Sequence, residues 1–307
     1  AGHALNALGV PSSHAVGFTS STQGVQREKL ELGAMMLRTS DCHIRFGHFE
    51  WINQYQPTLL EEFTQKCIEW HYPECLKAEQ PVLAFATQVI QRTAVMIAKW
   101  QLVGFAHGVM NTDNLNITGS TLDFGPYGFM ERFRPNWINN HSDYKARYTY
   151  QQQPSIAHWN LWTWLNNLVP LQPENFEKEQ WKQALAECLE HFEPTFLEHY
   201  RLGLSQKMGL PGFHKDSFDC AMAFLRILQT EQLDYTQSFI RLQHKQYQVI
   251  QDDCLDRRQF ESFLSQYESI RENQDTVTLD IQMLKVNPHY ILRNHMVQKA
   301  IELAEKK

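Results

Sequence analysis

A long apolar segment, residues 81–105, constrains the fold of this chain more than any other feature. Proline is favoured in the first turn of a helix and Pro81 opens the segment, while apolar side chains recur at helical spacing as far as Gly104. Polar residues interrupt the segment before it reaches the 18 or more apolar residues that a membrane-spanning helix needs. It therefore predicts the central core helix of a soluble protein that does not bind a membrane.

The amino-acid composition limits the classes of partner that this protein can bind. Of the 307 residues, 43% are hydrophobic and 20% are charged, which is typical of a folded chain that can bury a sizeable core. Acidic residues outnumber basic ones by 34 to 28 and no block of Lys or Arg stands out, so the basic surface of a nucleic-acid-binding protein is missing. The six cysteines form no C-x-x-C pair and no secretory leader is visible, so we expect reduced thiols and a cytoplasmic location.

The two parts of the chain differ in predicted secondary structure. Residues 1–50 contain a short helical end at 4–8 and two strands, at 14–19 and 33–38, which a polar connection through residues 20–24 joins. Helical periodicity dominates residues 51–307. The predicted helices are 59–70, 81–105, 159–168, 178–200, 217–228, 231–240, 258–272 and 293–306. We expect an α+β fold, mainly α, with a small domain (1–50) and a helical domain (51–307).

The segment that carries chemistry runs from His107 to Asn114 and is followed by Asp123-Phe124-Gly125. In protein-kinase-like folds a catalytic loop begins with His and places an Asn seven residues later, and the Asp of a D-F-G turn lies beyond it. Here His107 and Asn114 have that spacing. Mg²⁺ prefers hard oxygen ligands, which the amide of Asn114 and the carboxylate of Asp123 can supply. The joint spacing predicts a kinase-like phosphate-transfer centre within residues 107–125.

One position departs from ordinary kinases. The Asp that positions the substrate hydroxyl two residues after the His is replaced here by Val109. The nearest carboxylate in the loop is Asp113, which we predict to accept the proton of an attacking hydroxyl. His107 is expected to brace the loop by hydrogen bonds, and His43, His48 and His141 show no metal-ligand spacing.

Several long strings resemble one family, the selenoprotein O family of kinase-fold protein adenylyltransferases, and the likeness covers nearly the whole chain. The strings lie at residues 7–11, 40–49, 107–128, 135–138, 140–143, 153–154, 159–161, 286–288 and 290–294. We assign the strings at 286–294 a structural role, and we expect Trp159, Trp162 and Trp164 to pack in the core or against other helices.

The resemblance implies transfer of AMP from ATP to a Ser, Thr or Tyr hydroxyl of a protein, with release of pyrophosphate. By the same resemblance Asp113 is the proton acceptor, and Asn114 and Asp123 are ligands of Mg²⁺ or Mn²⁺. Asp123 also lies beside the ATP phosphates, and Arg38 and Arg45 match two arginines that bind the triphosphate. The location implied is the cytoplasm of a bacterium, or the mitochondrion in a eukaryote.

The resemblance also implies that the chain is an internal fragment. The family's glycine-rich loop, strand lysine and helix glutamate correspond to positions before Ala1, and the family continues past Lys307. We therefore expect weak nucleotide binding and little AMP transfer from this chain alone.

Three alternatives stay open. They are a kinase-fold phosphotransferase, against which Val109 counts, a transferase of UMP from UTP, and a catalytically silent pseudokinase scaffold, against which the retained Asp113, Asn114 and Asp123 count. The protein targets and the oligomeric state are not encoded in any recognisable motif.

Overall fold

The computed structural model of the protein describes residues 1–26, 30–212, 214–272 and 274–305, which form an α+β structure in which helices predominate. The strands are β1 (His14–Gln26), β2 (Leu30–Thr39), β3 (Phe105–Ala106) and β4 (Gly128–Phe129). The helices are α1 (Gly2–Ala7), α2 (Phe46–Tyr55), α3 (Leu60–His71), α4 (Pro81–Leu102), α5 (Gln153–Asn166), α6 (Lys178–Leu189), α7 (Phe192–Met208), α8 (Lys215–Thr230), α9 (Tyr235–Gln243), α10 (Tyr247–Asp252), α11 (Arg257–Arg271), α12 (Thr276–Val286) and α13 (Asn294–Glu305).

Strands β1 and β2 form an antiparallel ribbon, paired from His14 with Thr39 to Gln26 with Leu30. The predicted bounds, 14–19 and 33–38, are too short, because residues 20–24 continue β1 instead of connecting two strands; residues 27–29 lie outside the described part. Nearly every residue of the ribbon is exposed, including Phe18 and Met35 at 80% and 76%. A strand with one buried face shows alternating apolar and polar residues in its sequence. Neither face of this ribbon is buried, so this alternation is absent and the sequence does not show where the strands end.

Helix α4 is the core helix that the apolar segment predicts. Its buried face includes Phe85, Val89 and Trp100, and it packs against α5, α6 and α7. The helix ends at Leu102 and not at Phe105, because Gly104 takes a φ of +69° and Phe105 begins β3. By length and composition α4 could cross a membrane, but half of its most apolar window is buried inside the protein.

The helical part contains more and shorter helices than predicted. The predicted helix 178–200 is two helices, since α6 ends at Leu189 and α7 begins at Phe192. Helix α9 begins at Tyr235 rather than 231, because Asp234 caps it by accepting a hydrogen bond from the Gln237 amide at 2.8 Å. The sequence gives no prediction of helices α2, α10 and α12. Helix α2 crosses position 50, the predicted boundary between the two domains. This domain boundary stays a prediction.

Only one of the three tryptophans of α5 is in the core. Trp164 is completely buried and packs on Phe46, Phe49 and Phe85. The prediction of core packing is wrong for Trp159 and Trp162, which are 43% and 54% exposed. Positions 159 and 162 share a helix face because they are three residues apart, whereas 164 lies on another face.

A lysine is buried on α7. The side chain of Lys207 is 4% exposed, and its ammonium donates a hydrogen bond to Asn287 Oδ1 at 3.0 Å. Asn287 returns a bond from Nδ2 to the carbonyl oxygen of Lys207 at 2.8 Å. Because burial disfavours the charged form, the pKa of Lys207 is lowered from its ordinary value to about 7.

We predict that the replacement Lys207→Met stabilises the protein most at and below about pH 7. The unfolded chain binds the lysine proton more strongly than the folded chain does. The free energy of unfolding of the wild type therefore increases as the pH rises above about 7. The advantage of the variant should therefore shrink between pH 7 and about pH 9. Urea unfolding of both proteins across this pH range measures the difference in their free energy of unfolding. A difference that stays constant with pH would contradict the prediction.

Candidate active site

The loop that carries the predicted chemistry is closed at its base by strands β3 and β4, which pair Phe105 with Phe129. His107 follows β3 and is 1% exposed. Its Nε2 donates a hydrogen bond to the Leu122 carbonyl oxygen at 2.7 Å, and its ring stacks on Trp100. Burial lowers the pKa of His107, which keeps the ring neutral. The predicted bracing role is confirmed, because this bond ties the two halves of the loop together.

Four side-chain amides hold the backbone carbonyls at the start of the loop. The bonds run from Gln153 to Phe105 (2.9 Å), from Asn139 to Ala106 (2.8 Å), from Asn140 to Gly108 (3.0 Å) and from Asn160 to Met110 (2.8 Å). Gln153 also accepts a bond from the His107 amide at 3.0 Å. Buried backbone groups need such partners wherever a neighbouring strand does not satisfy them. The amides thus fix the path of residues 105–110.

A second set of contacts brings the start of α2 to the far side of the loop. The Phe46 amide donates to the Leu115 carbonyl at 3.0 Å, and the Ile117 amide donates to the Ile44 carbonyl at 3.1 Å. Arg45 lies between these two bonds and is the N-cap residue of α2. The chain therefore holds Arg45 beside residues 113–116.

Asp123 lies between two arginines. Arg38 Nη1 is 2.5 Å from Asp123 Oδ1, and Arg45 Nη2 is 2.9 Å from Asp123 Oδ2, so both carboxylate oxygens are paired. All three side chains are about one quarter exposed, at 24%, 25% and 25%. The structure thus gathers three residues that are 7 and 78 positions apart in the sequence into one charged cluster with a net charge of +1. Asp123 has a φ of 57°, a conformation that Asp tolerates better than most residues.

Asp113 and Asn114 adjoin this cluster. Arg45 Nη1 donates to the Asp113 carbonyl oxygen at 2.9 Å. A Cβ on Gly47 would overlap Asp113 Oδ1, so the Asp113 carboxylate rests against the bare backbone of the first turn of α2. Asn114 Nδ2 donates to the Val109 carbonyl oxygen at 2.9 Å, which fixes the orientation of the amide. Arg45 therefore links the Asp113 backbone to Asp123, and Asn114 follows Asp113 in the loop.

The predicted metal ligands are one carboxylate, Asp123, and one amide oxygen, Asn114. The described residues contain no group of three or more His, Cys, Asp or Glu side chains that could hold a metal ion. His48, one of the histidines without ligand spacing, instead accepts a hydrogen bond from the Arg45 amide through Nδ1 at 2.9 Å. The Asn114 and Asp123 oxygens are hard donors and suit Mg²⁺, provided that phosphate oxygens and water complete the coordination.

The sequence matches the family model described as "Protein adenylyltransferase SelO" over residues 1–307. The chain belongs to the SelO family.

Relatives in the SelO family carry the name "Protein nucleotidyltransferase YdiU". The protein of Marinomonas sp. (strain MWYL1) is 41% identical, and the match covers 100% of this chain and 64% of the relative. The proteins of Vibrio vulnificus (strain YJ016) and Pseudomonas entomophila (strain L48) are 39% and 40% identical, each over 99% of this chain and 63% of the relative. The chain thus spans less than two thirds of the length of these bacterial relatives.

In this SelO-family chain, the residues that sequence reasoning missed are those that support the loop. Three of the four amides, Asn140, Gln153 and Asn160, lie in strings that carry the family resemblance, but neither spacing nor composition gave them a role. A usable signal is the type of residue, because Gln and Asn are poor choices for the buried face of α5 unless each has a specific hydrogen-bond partner.

We predict that Asn160→Ala destabilises the protein by about 1–3 kcal/mol, because it leaves the buried Met110 carbonyl oxygen without its partner. Asn166→Ala is the matched control, since Asn166 lies on the same helix, is exposed and bonds only to the Trp162 carbonyl one turn back. The control should change the free energy of unfolding by less than about 0.5 kcal/mol. Urea unfolding measures both, and equal losses would show that the loop contact has no special weight.

Proposed function

We propose that the protein is the core of a protein adenylyltransferase that transfers AMP from ATP to Ser, Thr or Tyr hydroxyls of other proteins. The proposal includes a protein-kinase-like fold, with a small lobe at 1–50 and a helical lobe at 51–307, and a cytoplasmic location. The observation that carries it is the charged cluster, in which Arg38 and Arg45 meet Asp123 and Arg45 reaches Asp113. Membership of a family described as adenylyltransferases supports the reaction class.

The two arginines are proposed to bind the triphosphate. Guanidinium groups present a planar fork of donors that fits phosphate oxygens, and their charge cannot be lost at neutral pH. Both forks face the loop, because each one contacts Asp123. Phosphate oxygens would share these donors with the Asp123 carboxylate, so ATP binding would loosen the two ion pairs.

Asn114 and Asp123 would hold the divalent metal, for which we propose Mg²⁺ or Mn²⁺. When bound, the metal supplies positive charge that neutralises the phosphate oxygens. The contribution of the chain is orientation. The bond from Asn114 Nδ2 to Val109 directs the amide oxygen away from that carbonyl, and before ATP binds the two arginines hold the Asp123 carboxylate in one place.

Asp113 is proposed to accept the proton of the attacking hydroxyl. The hydroxyl oxygen forms a bond to the α-phosphorus, the bond between the α-phosphorus and the bridging oxygen breaks, and pyrophosphate leaves with that electron pair, while the proton passes to the Asp113 carboxylate. Asp113 is exposed, as contact with a protein substrate requires. The Gly47 backbone and the Arg45 bond hold it in position.

The reaction class is tested with ATP labelled at the α- or the γ-phosphate, using the protein extended to the length of its relatives. We expect protein-bound label from the α-position alone, reduced by about 10²–10⁴-fold in the Asp113→Asn variant. Label from the γ-position would identify a kinase, and UTP in place of ATP tests the UMP alternative. Retained nucleotide binding with no label from any of these would identify a scaffold.

The Gly47→Ala variant tests how Asp113 is held. Because the added methyl group would displace the carboxylate, we predict that AMP transfer falls by about 10–100-fold. The matched control is the same change in the Asp113→Asn background, where it should have almost no further effect. Rate measurements on the four proteins form a double-mutant cycle. Losses that multiply would show that Gly47 acts independently of Asp113.

A further inference from the structure

A second feature with the chemistry of a binding site lies apart from the charged cluster. A cavity of about 630 Å³ opens between the end of α1, the C-terminal part of α4, the middle of α7 and the stretch 284–289. None of its lining residues belongs to the loop 107–125 or to the Arg38 and Arg45 pair. Its volume lies within the range of about 300–1,000 Å³ that is usual for small-molecule sites.

The lining of this cavity is basic. It contains Lys99, Lys207 and Lys285 together with two histidines, and it contains no Asp or Glu. The lysines that form ion pairs in the described part of the chain are three others, Lys66, Lys182 and Lys245. Three lysines without a carboxylate partner therefore line one concave surface in a protein whose net charge is -6.

Two of these ammonium groups are held in place by neutral acceptors. The buried Lys207 donates to Asn287 Oδ1 at 3.0 Å, and Lys99, which is half-buried, donates to the Gly9 carbonyl oxygen at 2.9 Å. Asn287 and Gly9 line the same cavity. The Lys207 ammonium also lies 4.4 Å from the centre of the Phe239 ring, which is not part of the lining, and burial lowers its pKa to about 7. A bound anion would compensate the charges of Lys99 and Lys285.

The rest of the lining is apolar. Helices α4 and α7 contribute Leu102 and Leu202, and Val103 and Leu8 directly follow the ends of α4 and α1. These side chains offer a surface for a ring or a hydrocarbon body, which an inorganic ion lacks. A ligand that fits this lining has an anionic head and an apolar body.

We propose that this cavity binds a small phosphorylated molecule with an apolar or aromatic body. A phosphate monoester carries nearly two negative charges at neutral pH, which match the charges of Lys99 and Lys285 better than a single carboxylate does. The two bonds between Asn287 and Lys207 fix this wall of the cavity, which gives a function to part of the string at 286–288 that otherwise has only a structural role.

Calorimetric titration of the protein with phenyl phosphate tests the proposal. We expect saturable binding with a Kd below about 1 mM. The double variant Lys99→Gln, Lys285→Gln removes two charges while leaving the buried Lys207 intact, and it should weaken binding by at least about tenfold. Lys178→Gln, which removes the charge of one exposed lysine at the start of α6, is the control and should leave the Kd unchanged.

Three outcomes would overturn the proposal. The first is the absence of saturable binding up to about 10 mM phenyl phosphate. The second is binding that the Lys99 and Lys285 changes do not weaken but that Arg38→Ala abolishes, which would place the phosphate at the proposed nucleotide site instead. The third is equal affinity for benzoate or for inorganic phosphate, which would remove the requirement for a phosphate head or for an apolar body.

Discussion

The hydrogen bonds that hold the irregular backbone between β3 and β4 are the constraint on which the site depends. This segment has almost no regular secondary structure, yet its ends are buried, and buried peptide groups must find partners. The His107 ring bridges the segment to the Leu122 carbonyl, and side-chain amides from residues 139–160 satisfy the carbonyls of its first turn. The charged cluster can form only because this scaffold places Asp113 and Asp123 at fixed positions.

The sequence predicted best what depends on local pattern. The apolar stripe and Pro81 located α4 to within a few residues of its end, and the seven-residue spacing from His107 to Asn114 located the loop. The sequence predicted helix boundaries less well where the boundary depends on tertiary contacts. The break between α6 and α7 itself contains neither Gly nor Pro, although Pro194 in the first turn of α7 is a local signal for it. The short helix α10 has too few turns to show a period.

The candidate site likewise contains residues that the sequence predicted and contacts that only the structure shows. The residue types at 113, 114 and 123 pointed to metal and proton chemistry, and Arg38 and Arg45 entered through a family resemblance. The pairing of both arginines with Asp123 could not be read from the chain, because it brings together residues 78 and 85 positions apart. The contact between Gly47 and Asp113 is equally invisible in the sequence, since a glycine leaves no signal of what approaches it.

The β1–β2 ribbon has a consequence for handling the protein in solution. A two-stranded ribbon has two open edges, each with unpaired backbone donors and acceptors, and here those edges are flanked by exposed apolar side chains such as Phe18, Leu30 and Met35. Such strands are templates for pairing with another chain. The ribbon is therefore the part of this molecule most exposed to aggregation, and covering it, or placing charges along its edges, is the direct route to a well-behaved sample.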